Sequence, residues 1–104
     1  MLFNEMKTIK SRVRFLLEKY PSLRDDDFRL YASYVSFQVG GKTKLQEMNA
    51  YDFLTRLANG ELAHFESVRR DRQKLQEQVP ELRGANYEKR KKGAEAMRNQ
   101  IHDL

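Results

Sequence analysis

The chain has 104 residues, with 20 Lys plus Arg against 15 Asp plus Glu and a formal net charge of +5. That length suits one domain, and its 25 Leu, Ile, Val and Phe residues supply a small core, above the level of a disordered chain. The lack of Cys excludes a disulfide scaffold and thiolate metal ligation. Two His exclude a multi-histidine metal site, and no apolar run is long enough for a membrane span. The N-terminus shows no signal-peptide core, so the expectation is a small intracellular domain away from membranes, whose basic balance favours an acidic partner.

In chain order, Ile9, Val13, Leu16, Leu17 and Tyr20 recur at helical spacing within an amphipathic helix from Met6 to Lys19, and Pro21 ends it. Asp25, Asp26 and Asp27 then suit the positive start of a following helix. Phe28, Tyr31, Val35 and Val39 fit that helix, although Tyr31, Ser33, Val35, Phe37 and Val39 also lie on one side of a strand. The acidic cap favours helix, stopped by Gly40-Gly41. After a loop, Asn49 caps a short helix with a buried face of Tyr51, Leu54, Leu57 and Ala58, ended by Asn59-Gly60. A longer helix from about His64 to Val79 carries the stripe Phe65, Val68, Leu75 and Val79, and Pro80 stops it. Gly84 opens a last segment where Tyr87, Ala94, Met97, Ile101 and Leu104 recur near seven-residue spacing, predicting a C-terminal helix over about 85–104 that can pair two copies. The expected fold is all-α, a single helical domain over 1–104.

The charge is uneven. Residues 1–21 carry net +3, 22–61 carry −1, 62–92 carry +4 and 93–104 carry −1. The second basic stretch coincides with an expected helix-turn-helix over about 50–79, in which Leu54 and Ala58 cross Phe65 and Val68. Opposite the apolar stripe, Glu66, Arg70, Gln73, Lys74 and Glu77 project outward, with Ser67 and Arg69 on the flanks. Arginine grips guanine bidentately, glutamine grips adenine, and lysine neutralises phosphate. Candidate nucleic-acid-binding residues are therefore Ser67, Arg69, Arg70, Gln73 and Lys74, joined by Arg83 and the run Lys89, Arg90, Lys91 and Lys92 as phosphate contacts. The competing reading is a solvated, ion-paired face, since Glu66 and Arg70 stand at i, i+4 in the favourable order. Arg72 falls inside the apolar stripe, so it either snorkels past the core edge or pairs with an acid from another helix.

Other constellations are weaker. Gly40-Gly41-Lys42-Thr43 resembles the end of a nucleotide-binding phosphate loop, but Ser36 stands where its first glycine belongs. The adjacent acids at 25–27 splay around a helix and mark a helix start rather than a cation site. His64 reads as a cap-region or DNA-facing residue rather than a general base, and no serine elbow is present.

The segment Phe65-Glu66-Ser67-Val68-Arg69-Arg70, with Lys74-Leu75-Gln76-Glu77 and Pro80-Glu81-Leu82-Arg83-Gly84, resembles a stretch in small uncharacterised bacteriophage and prophage proteins. The likeness extends weakly to Tyr87 and Arg90, covers under a third of the chain and transfers no functional residue. It implies a phage or prophage origin and a small helical regulator or accessory factor, in the cytoplasm of a bacterium or infected host. The combined expectation is a non-enzymatic protein without cofactor or metal that binds double-stranded DNA, with a homodimer through the C-terminal helix. The alternative is an interaction module whose basic faces or aromatic anchors meet an acidic host or replication protein. A third reading, single-strand or RNA binding, draws on Tyr87 beside the basic run.

Overall fold

The Thr8 side chain accepts the Ser11 backbone N–H at 3.1 Å and so starts helix α2, Ile9–Lys19, three residues later than the periodicity predicts. The chain before it forms a separate short helix α1, Leu2–Glu5. These assignments come from a computed structural model that describes residues 2–90 and 92. Tyr20 ends α2, and Pro21–Asp25 make a 3-10 turn into α3, Asp27–Val39. The helix reading of 28–39 holds for the reason expected of it: Asp26 caps α3 by accepting the Arg29 N–H at 3.1 Å. Gly40, at φ 103°, closes α3 in the left-handed conformation, and the Gly41 N–H reaches the Ser36 carbonyl at 2.7 Å.

Residues expected to form a loop instead make helix α4, Lys42–Glu47. Asn49 caps α5, Ala50–Ala58, through the Asp52 N–H at 2.8 Å. Helix α6 spans Phe65–Gln78, and Pro80–Leu82 form a second 3-10 turn. A further helical segment begins at residue 87. No strand occurs among the described residues, and the fold is all-α. The expected pairing of copies through Ala94, Met97, Ile101 and Leu104 lies outside the described residues.

Helices α2, α3 and α6 enclose the core of Val13, Leu16, Leu17, Leu30, Tyr34, Val68 and Leu75. Phe3 of α1 is fully buried against Tyr34, Phe37 and Phe15, and its ring centroid lies 5.0 Å from both Tyr34 and Phe37. The Lys10 ammonium donates to the Gln78 side-chain carbonyl at 3.0 Å, placing the start of α2 beside the end of α6.

The face of α5 that was expected to be buried is mostly exposed. Tyr51 is 78% exposed, Leu54 60%, and Ala58 is also exposed; only Leu57 of that set is half-buried. The link before α6 fills the core instead, with Leu62 and Ala63 both buried. Two side chains of α3 hold this link: the Tyr31 hydroxyl donates to the Ala63 carbonyl at 2.7 Å, and the Ala63 N–H donates to Gln38 at 3.1 Å. Phe65 packs on α3 as well, stacked on Phe28 at 5.2 Å and edge-on to Tyr31 at 5.5 Å. The crossing of Leu54 and Ala58 over Phe65 and Val68 is therefore not made.

Candidate nucleic-acid interface

Helix α6 has two faces with different duties. Val68, Arg72, Leu75 and Gln76 are buried, while Glu66, Arg70, Gln73, Lys74 and Glu77 are exposed, as the 100° spacing predicts.

The buried polar pair fixes the helix against its neighbours. Arg72 grips Asp27 at the start of α3 with two parallel bonds, Nε to Oδ1 at 2.9 Å and Nη2 to Oδ2 at 2.8 Å. This decides between the two fates considered for Arg72, since only 9% of its side chain is exposed and its partner is an acid from another helix. Gln76 lies one turn on and is fully buried. Its amide nitrogen donates to the carbonyls of Arg24 at 2.8 Å and Leu82 at 3.2 Å. Its oxygen accepts from Arg72 at 3.3 Å and Arg90 at 3.1 Å. Gln76 was not singled out from sequence, although its i+8 spacing from Val68 sets it on the buried stripe.

Several basic residues expected to meet phosphate serve the protein itself. Arg83 donates to the Gln76 carbonyl at 2.6 Å and the Glu77 carbonyl at 3.2 Å, satisfying the open C-terminal end of α6. Its guanidinium also lies 4.4 Å from the Tyr87 ring centroid. Arg90 pairs with Asp25 at 3.0 Å, and the Asn86 N–H donates to the same carboxylate at 3.3 Å. Asp25 packs directly against Gly84, where any Cβ would collide with the carboxylate. The three acids at 25–27 thus have separate tasks: anchoring the 84–90 segment, capping α3, and holding Arg72.

Arg69 forms a bidentate pair with Glu66, at 3.1 and 2.9 Å. The bond holds the Glu66 carboxyl below its usual range and raises Arg69. Sequence spacing assigned Glu66 to Arg70 instead. With Glu66 turned to Arg69, Arg70 makes no ion pair among the described residues, and neither does Lys74. Arg70, Lys74 and Gln78 follow one another at successive turns, and Lys10 of α2 meets the last of them. The result is a polar ridge with cations at Arg70, Lys74 and Lys10, flanked by exposed Gln73. Ser67 is half-buried beside it, Lys89 and Lys92 are exposed farther along the chain, and Lys91 lies outside the described residues. Exposed Glu77 adds a negative charge near Lys74.

Among the described residues no group of three or more His, Cys, Asp or Glu is arranged to hold a metal ion, and no helix is long and apolar enough to cross a membrane. His64 occupies the cap position of α6 without a side-chain capping bond. Comparison with protein-family models, curated proteins and solved structures finds no match for this chain.

Proposed function

We infer that this protein is a non-enzymatic double-stranded DNA-binding protein whose contact surface is the ridge of α6. One observation carries the reading: Arg70 and Lys74 stand exposed and without an ion pair among the described residues, with Gln73 between them, on a helix anchored from behind by Arg72 and Gln76. A rigid helix presenting guanidinium, amide and ammonium groups has the chemistry for base edges and phosphates. Lys10 extends the positive ridge, and Lys89 and Lys92 add phosphate contacts. Arg69, Arg83 and Arg90, bound internally, act as supports. This contact uses α6 and α2 in place of the α5–α6 pair of a helix-turn-helix. The narrower role of phage regulator or accessory factor, and with it a cytoplasmic site in a bacterium or infected host, rests on the resemblance of residues 65–84 to small phage proteins.

The test is a fluorescence-anisotropy titration of duplex DNA at low salt, with Arg70→Ala and Lys74→Ala variants. The expected result is binding that weakens about ten-fold or more in the double variant. No binding by the unaltered protein, or equal binding by the double variant, refutes the assignment.

A protein-interaction module is the second reading, and the uncovered Tyr51 and Leu54 of α5 favour it. Absence of duplex binding, together with nuclease-resistant association with an acidic protein that Tyr51→Ser and Leu54→Ser abolish, would select it.

A further inference from the structure

The link between α2 and α3, the outer face of α3 and the start of α4 together enclose a cleft of about 310 Å³. Its floor is apolar: Leu23 belongs to the core, and Phe37 packs against that core. The exposed Tyr20 ring contributes a second aromatic surface. Ser33 stands one turn before both Ser36 and Phe37, and all three line the cleft, so two serines join its wall. Lys42, the first residue of α4, is exposed, lines the cleft and makes no ion pair among the described residues. Among the described residues no Asp or Glu lines the cleft. The Lys19 ammonium lies 5.7 Å from the Tyr20 ring centroid, so a second cation stands by that aromatic wall.

An apolar cavity of this size with a few convergent polar groups has the make-up of a small-molecule site. Its uncompensated charge is positive, which selects the sign of the ligand. We propose that the cleft binds a small aromatic carboxylate. The ring body lies along Leu23 between Tyr20 and Phe37, and the carboxylate meets the Lys42 ammonium with the Ser33 and Ser36 hydroxyls as further donors. A neutral aromatic of the same shape gains only the apolar contact, and a short carboxylate gains only the ion pair. No residue of α6 lines the cleft, so this site is independent of the DNA-binding ridge.

Amide chemical-shift titrations of the full chain with 2-naphthoate, 2-naphthalenemethanol and acetate test the proposal. The expected result is saturable shifts centred on Ser33, Ser36 and Lys42 for 2-naphthoate, with a Kd of about 1 mM. The neutral alcohol should bind about three-fold more weakly, the scale of one exposed ion pair, and acetate should give no saturable shift. Lys42→Gln should bring the acid to the affinity of the alcohol, and Ser33→Leu, which fills the cleft, should abolish binding of both. Shifts that never saturate, equal binding of acid and alcohol by the unaltered protein, or an acid preference that survives Lys42→Gln would each overturn it. If Ser33→Leu loses its helical circular dichroism, the exposed Lys42→Gln variant decides the question.

Discussion

Gln76 has two donors and two acceptor sites, and the fold uses all four, on Arg24, Leu82, Arg72 and Arg90. A buried amide costs nothing like its usual penalty when every valence is met, but removing one partner exposes the rest to that penalty. The same holds for the Arg72–Asp27 pair. Its geometry is bidentate and Arg72 is buried, yet Asp27 keeps 26% side-chain exposure, so solvent moderates its loss. Asp27→Asn should therefore destabilise the protein by about 2 kcal/mol, below the range for fully buried pairs. Arg72→Met combined with Asp27→Asn should cost less than the sum of the two single changes, and urea denaturation of the three variants measures that coupling. Strict additivity would show that the pair contributes no interaction.

The tyrosines of α3 give a pH dependence of defined sign. Burial raises both Tyr31 and Tyr34 above the ordinary value of 10.0, although Arg12 opposes the shift at Tyr34. The unfolded chain then ionises these phenols at lower pH than the folded one does. The associated stability is fully present below pH 10 and falls as pH rises toward the raised folded values. Thermal midpoints measured from about pH 8 to pH 11 should decline on the alkaline side, and Tyr34→Phe should flatten that decline. An unchanged alkaline slope in Tyr34→Phe would contradict this account. Of these residues, Arg72 was conspicuous in sequence because a charge interrupted an apolar stripe. Gln76 was not, because a polar residue type masks the one signal it has, its i+8 spacing from Val68 on the buried stripe.

At the scale of elements, α5 and α6 show how similar patterns reach different ends. Both helices are amphipathic and follow a residue in extended conformation, but only α6 has fully buried residues on its apolar side. Asn49 gives α5 a good start, yet no residue of α5 is buried, whereas Leu62 and Ala63 of the link that follows it are. Capping stabilises a helix by about 1 kcal/mol, whereas a nine-residue helix with no fully buried side chain is marginal in water. Native-state hydrogen exchange should therefore show α5 amides protected at least about ten-fold less than those between Val68 and Leu75 of α6. Equal protection would mean that α5 is covered by a partner or a second copy. The short helix α4 escaped the sequence reading for a related reason. Six residues without a buried side chain leave no hydrophobic period to detect.

For the whole molecule, net charge describes the reserve of cations, and the fold determines how many remain for a partner. Arg72, Arg90 and Arg69 are bound to Asp27, Asp25 and Glu66, and Arg83 is bound to helix carbonyls. What the fold leaves on α6 and α2 is a narrow ridge, so the proposed DNA binding predicts a correspondingly modest salt dependence. The proposed contacts from Arg70, Lys74 and Lys10, with Lys89 and Lys92 beside them, correspond to a slope of log affinity against log salt of about −0.9 for each phosphate neutralised. Replacing Arg70 and Lys74 should reduce that slope by about two. A slope that is unchanged in the double variant would move the contact to another basic region.

The sequence by itself determined the all-α class, the stops at Pro21, Gly40-Gly41 and Pro80, the cap before α3, and the outward face of α6. Each of these follows from local rules: helical period, fixed proline φ, glycine in the left-handed region, and side-chain acceptors at helix starts. Only the tertiary structure decided which cations are consumed internally, because Asp27 and Arg72 are 45 residues apart and Asp25 and Arg90 are 65 apart. It likewise decided that Glu66 turns to Arg69, leaving Arg70 without an ion pair among the described residues, and that the link before α6 is buried while α5 is not. Spacing along a chain lists the partners within reach, but packing across helices determines which of them a charge or an apolar face actually meets.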